Sequence, residues 1–218
     1  MIPKIIHTIW VGERPAPMEW IKTWAEKNPD WEQRFWGNEE VFGIDEMDGI
    51  KKWWNFDHIN YYREKKIWQG VADVVRYEIL YRYGGFMPGA DSVCLEPIDE
   101  LFADESADAF TCYENETLRG DLVSPLLACT PKNPLASALI EVLGRKENLG
   151  IPWKSTGNLF MMHSLKALEY PHIKIFPSHT LLPIHHTGLK YEGKGKVYAE
   201  HKWGTGRDAY SQLEKSKI

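Results

Sequence analysis

The 218 residues carry 43% hydrophobic, 13% aromatic and 26% charged side chains, a balance that excludes a disordered or fibrous chain and, at this length, favours one large domain over two. The formal net charge of −5 excludes a general polyanion binder. From Lys166 onward, however, nine basic residues face five acidic ones, a net +4, which leaves 17 basic and 26 acidic residues in 1–165; the basic end reads either as a solvated edge or as a wall facing phosphates.

In chain order, residues 2–11 (IPKIIHTIWV) form a β-branched run stopped by Gly12, the pattern of a buried first strand. Residues 18–28 place Trp20, Ile21 and Trp24 at helical spacing, and Asn28-Pro29 ends that helix. A short strand is predicted over Glu32 to Trp36. The longest periodic pattern runs from 61 to 83, with Ile67, Val71, Val74, Val75, Ile79, Leu80 and Tyr83 on one face and Gly84-Gly85 as C-cap. Strand signals follow at 86–87, 90–95, 109–113 and 126–129, then a helix over 134–143 capped by Asn133. Strands alternating with helices define an α/β chain with a mostly parallel sheet.

Two compositional features stand out. Of ten tryptophans, eight precede residue 70, as packing mass or as flat surfaces for a ring-shaped ligand. Cys94, Cys112 and Cys129 are odd in number and spaced unlike zinc or disulfide frameworks, which reads as buried small hydrophobes in a reduced setting. With no apolar run near the ~20 residues that span a bilayer and no signal-peptide pattern, a cytoplasmic protein is expected, at most peripheral to the inner face of a membrane.

The segment 70–92, GVADVVRYEILYRYGGFMPGADS, carries the chemistry. Asp73 and Arg76 are three apart and share a helix face. Such a pair is ordinarily an exposed salt bridge, but here it borders an apolar stripe, as though something polar were held there. With IPKIIHTIWVG, W-x(3)-NPDW and A-D-x-x-RYEILYRYGG, this segment resembles the family 32 glycosyltransferases, which include fungal mannosyltransferases, bacterial polysaccharide biosynthesis enzymes and, distantly, the catalytic domains of large glucosylating toxins. The resemblance implies a single GT-A type, Rossmann-like domain over 1–218. In it, residues 1–95 are the nucleotide-sugar half and 96–218 the acceptor-side half, ending in a C-terminal lid. It also implies a UDP- or GDP-linked donor, a Mn²⁺ or Mg²⁺ ion, and transfer with retention. The acceptor would be a glycan, a lipid-linked glycan or another hydroxyl, with modified nucleic acid a remoter choice.

Carried over position by position, the resemblance assigns Ile9 and Trp10 to the nucleotide base, Asp73 to donor-sugar hydroxyls and Arg76 to sugar or phosphate. It makes Asp73, Arg76 and Asp91 the catalytic group. Thr156, Gly157 and Asn158 would line the acceptor side. His201 and Trp203 would close the diphosphate site, with His201 joining Asp91 on the metal and His185-His186 as a second candidate pair. The family's Gly-Gly-x-Tyr-x-Asp-x-Asp is altered: Met87 stands at the Tyr and Gly89 at the first Asp, so the donor contacts reduce to Gly89, Ala90 and Asp91. Because carboxylates are the natural ligands of a hard cation holding a diphosphate, the loss at 89 admits a second reading, a sugar-nucleotide-binding pseudoenzyme. A dinucleotide oxidoreductase is excluded because no G-x-G-x-x-G follows the first strand.

Overall fold

The computed structural model describes residues 1–43, 53–204 and 209–210. Its elements are β1 (Ile5–Ile9), α1 (Met18–Lys27), β2 (Glu32–Trp36), α2 (Asn38–Phe42), α3 (Phe56–Glu64), α4 (Trp68–Tyr83), β3 (Gly85–Met87), β4 (Ser92–Cys94), β5 (Ala109–Cys112), α5 (Glu116–Arg119), β6 (Leu127–Cys129), α6 (Pro134–Gly144), α7 (Pro152–Ser155), α8 (Asn158–Leu168), β7 (Ile173–Phe176) and β8 (Ala199–His201). Six strands form one sheet in the order β2-β1-β3-β6-β5-β7. β1 runs parallel to β2 and β3, β5 runs parallel to β7, and β6 is antiparallel to both its neighbours.

Side-chain alternation along the strands divides the interior in two, as a pleated sheet covered on both faces requires. Met87, Ala109, Leu127 and Cys129 point into one core, which α3, α4, α6 and α8 complete with Ile59, Val74, Leu139 and Met161. Phe86, Phe110, Cys112 and Ala128 point into the other, which Trp24 of α1 and the 3-10 turn at Asp99–Phe102 cover. The three cysteines are buried and unbridged, as expected. Among the described residues no helix is long and apolar enough to cross a membrane.

Two expectations are corrected. The pattern over 61–83 is not one helix, because the chain turns at Lys66, whose φ is 55°. This lets α3 lie back on α4 so closely that a Cβ at Gly70 would stand 2.5 Å from the Tyr62 ring. The polar run Glu64-Lys65-Lys66 falls where an exposed helical arc would also be polar, so periodicity misses the break. Second, α4 is not buried along one stripe: Asp73, Arg76 and Glu78 are buried as well as Val74 and Ile79. Wedged between the sheet and other helices, α4 needs a partner for every charge. Glu78, for instance, accepts the backbone N–H groups of Trp54 and Asn55 at 2.8 and 2.9 Å, at the start of α3.

His7 joins the β1–β2 pair to the end of α4. The Trp36 indole N–H can only donate, and it meets His7 Nδ1 at 3.1 Å. The neutral ring therefore carries its proton on Nε2 and donates it to Gly84 O at 2.9 Å. Burial, opposed in part by that carbonyl, lowers the His7 pKa to about 4. The folded value lies below the ordinary one of ~6.5, so this group's contribution to stability is complete above pH 6.5 and is lost as the pH falls from 6.5 towards 4. The loss amounts to about 3 kcal/mol in full. His7→Gln can make both hydrogen bonds without titrating. Its urea midpoint is expected to fall less than that of the native chain between pH 7 and pH 5, and equal falls would remove His7 as the cause.

Candidate active site

Asp73 and Arg76 meet on α4, with Arg76 Nη1 donating to Asp73 Oδ1 at 3.0 Å and side chains only 10% and 11% exposed. Asp73 Oδ2 accepts from Thr156 Oγ1 at 3.1 Å. Thr156 O in turn accepts the Tyr77 hydroxyl at 2.7 Å, which ties the turn before α8 to α4. A Cβ at Gly157 would approach Asp73 Oδ2 to 2.9 Å, so the glycine permits this close packing. Burial pushes the Asp73 carboxyl above the usual carboxylate range, opposed by Arg76 and Thr156. Arg76 Nε is buried with no hydrogen-bond partner among the described residues.

Asp91 lies just before β4, which pairs antiparallel with β8 so that Ser92 faces His201 in register. This two-stranded sheet carries the C-terminal residues onto the altered motif. His201 Nε2 stands 3.1 Å from Asp91 Oδ1, Gly204 N donates to Oδ2 at 2.8 Å, and Lys202 N donates to Asp91 O at 2.7 Å. Burial raises the Asp91 pKa, but the interaction with His201 and the Gly204 N–H outweigh it and hold the group below the usual range. Trp203 N donates to His201 Nδ1 at 3.1 Å, so the neutral ring keeps its proton on Nε2 and acts as a donor to Asp91. A Cβ at Gly89 would meet Asp91 Oδ1 and His201 Nε2, each at 3.0 Å.

Further contacts join these two groups. Asn158 Nδ2 donates to Glu114 Oε2 at 2.5 Å. Glu114 Oε1 lies 3.2 Å from His185 Nε2. His185 and His186 both stand edge-on to Trp203, with centroids at 5.5 and 5.4 Å, and Trp203 packs on His201 at 4.5 Å. At the other end the Tyr210 phenol interacts with Asp91, while its ring meets Trp10 at 5.2 Å and Trp20 at 5.8 Å. Trp10 and Asp91 thus share Tyr210, and Thr156–Asn158 border both Asp73 and Glu114. Ile9 is buried in the core, and Ala90 stands partly exposed beside Asp91.

Sequence reasoning missed Glu114 and Tyr210. Nothing at 114 has motif spacing, and Tyr210 gains meaning only because the chain folds it over Gly204, where a Cβ would stand 2.0 Å from the ring. Of the tryptophans left open by composition, Trp53 is core, Trp54 is 59% exposed, and Trp68 packs against Gly12, where a Cβ would lie 2.7 Å from its ring.

An α/β sheet covered on both faces, with an acidic residue after β3 met by a C-terminal histidine, is the architecture of a GT-A type fold, and solved structures agree. The chain superposes with TM-score 0.58 on the PaToxG glycosyltransferase (17% identity, 77% of this chain and 70% of that one). It superposes with TM-score 0.53 on the UDP-bound glycosyltransferase domain of the YGT toxin (8% identity, 80% and 79%). The family model described as glycosyltransferase sugar-binding region containing DXD motif matches residues 16–108, the stretch that carries most of the resemblance read from sequence. Among curated relatives, an uncharacterized glycosyltransferase of Acanthamoeba polyphaga mimivirus is 24% identical over 153 residues, 68% of this chain and 58% of that one. Inositol phosphoceramide mannosyltransferase 3 of Schizosaccharomyces pombe is 34% identical over 103 residues, 46% of this chain and 27% of that one. The chain thus spans 58% and 27% of these two relatives.

Proposed function

We propose that the chain is a glycosyltransferase that moves a hexose from a UDP- or GDP-linked donor to a hydroxyl of a glycan or lipid-linked glycan, with retention and with the help of Mn²⁺ or Mg²⁺. The observation that carries this reading is the meeting of Trp10, Tyr210, Asp91, His201 and Trp203, from the two ends of the chain, around the one acidic residue left of the motif. Residues 1–95 supply the donor half of one domain, and 96–218 supply the acceptor side together with the lid residues His201, Trp203 and Tyr210 that close on the donor half.

Asp91, a carboxylate already held in its charged form, is the motif residue suited to a hard cation, which would share its oxygens with His201 and the Gly204 N–H. A bound cation would offset the charge that develops on the departing diphosphate. His201, in the tautomer that Trp203 imposes, serves Asp91 or a phosphate oxygen as a donor; to become a metal ligand it would have to give up Trp203 N. Arg76 has Nε available for a donor oxygen, in a water-poor setting where such a bond is strong. Both Asp73 oxygens are committed, to Arg76 and to Thr156, which favours front-face attack by the acceptor over a covalent intermediate on Asp73.

Gly89 favours the second reading, binding without turnover, because the space beside it is filled by the Asp91–His201 pair. Nucleoside diphosphate release from UDP- and GDP-sugars, measured with and without Mn²⁺, separates the two. Metal-stimulated release with at least one donor is expected. Donors that raise the melting temperature without any release would establish the binding protein instead.

A further inference from the structure

Glu114, His185 and His186 form a second cluster, linked to His201 through the Trp203 ring: the carboxylate O and imidazole N atoms they offer lie within 4.8 Å of one another. Glu114 follows β5, the two histidines follow the 3-10 turn at Ser178–Thr180, and both Glu114 and His185 are almost fully buried, at 2% and 1% exposure. We propose that these three residues bind a transition-metal cation of the Zn²⁺ class, at a site separate from the hard-cation position at Asp91.

The first ground is distance. Nitrogen and oxygen ligands about 2.0–2.1 Å from a tetrahedral cation stand about 3.3 Å apart, and Glu114 Oε1 is 3.2 Å from His185 Nε2. His186, partly buried, offers the third ligand atom within 4.8 Å of the other two, which leaves the fourth position for water or another small ligand. The second ground is chemistry: two imidazoles to one carboxylate suit Zn²⁺ rather than Mg²⁺ or Ca²⁺.

The third ground is support around the ligands. His185 Nδ1 has Thr187 Oγ1 at 2.9 Å; a proton donated there leaves Nε2 with its lone pair free for a metal. Asn158 holds the second oxygen of Glu114, and the Trp203 ring walls both imidazoles. Metal-binding histidines and carboxylates are commonly fixed by such partners. At His201 the backbone N–H of Trp203 stands closer to Nδ1, at 3.1 Å, than the Thr187 N–H does to His185 Nδ1, at 3.4 Å. Arg119 Nε, 3.5 Å from Glu114 Oε1 on a side chain 39% exposed, is the group a cation would displace. In the competing tautomer Thr187 N, 3.4 Å away, donates to His185 Nδ1. His185 Nε2 then only donates to Glu114, and the cluster is a buried hydrogen bond with no metal affinity.

The test uses untagged full-length protein without nucleotide, so it stands apart from transfer activity. Titration with Co²⁺ is expected to develop one equivalent of the intense visible bands of a four-coordinate ion, displaced by Zn²⁺ in the presence of excess Mg²⁺. His186→Ala, at a partly exposed position, should weaken Zn²⁺ binding by at least ~100-fold and abolish the Zn²⁺-induced rise in melting temperature seen in the native chain. Asp91→Asn should keep both. No stoichiometric Co²⁺ spectrum from the native chain, unchanged binding in His186→Ala, or loss of binding in Asp91→Asn would each overturn the assignment.

Discussion

Asp91→Asn is expected to lower metal-dependent release of nucleoside diphosphate by about 10²–10³-fold or more, the cost of removing one preorganised partner of a developing charge. Its melting temperature should stay within a few degrees of the native value. The reason lies in what Asn retains: its side-chain oxygen can still accept the Gly204 N–H that Asp91 accepts at 2.8 Å, and the backbone bond from Lys202 is untouched. What disappears is the charge, and with it both the match to a hard cation and the attraction of His201, 3.1 Å away. Steady-state release at saturating Mn²⁺, paired with a thermal melt, checks the prediction. Native-like turnover in a folded Asp91→Asn protein would take Asp91 out of the mechanism.

Arg76→Ala is expected to act first on stability, by about 3–5 kcal/mol, because it strands the buried Asp73 carboxylate without its cation. For a chain of this size the melting temperature should drop on the order of 10 °C. The double variant Arg76→Ala with Asp73→Asn removes the stranded charge and should recover part of that loss, since Thr156 can still donate to the amide oxygen. Loss of donor binding should persist in the double variant, because the Nε group is gone. A thermal melt and a nucleotide-sugar shift assay on the two variants separate these effects. A melting temperature unchanged by Arg76→Ala would show that the pair is not needed to hold α4 in the core.

Much of the framework was legible in the chain because it depends on short-range pattern. β2 appears at its expected bounds, Asn133 caps α6 through a bond to Leu135 N, and Gly84, with φ 63°, ends α4 as the Gly-Gly pair implied. The break between α3 and α4 was not legible, because charged residues look alike in a loop and on an exposed helical arc. Nor were β7 and β8, four and three residues long, whose pairing partners lie far away in sequence.

For the candidate site, local sequence determined which groups are present: an acid and an arginine three residues apart on a helix, a single surviving motif aspartate, and a His-x-Trp near the C-terminus. Their mutual placement belongs to the tertiary structure. Pairing of β4 with β8 brings His201 onto Asp91 across 110 positions, and the turn before α8 brings Thr156 onto Asp73 across 83. Burial, which turns the Asp73–Arg76 pair from a surface contact into a buried one, arises only when the sheet and the outer helices close around α4. Composition and spacing act over a few residues, whereas dielectric surroundings and coordination distances depend on chain segments that no local pattern relates.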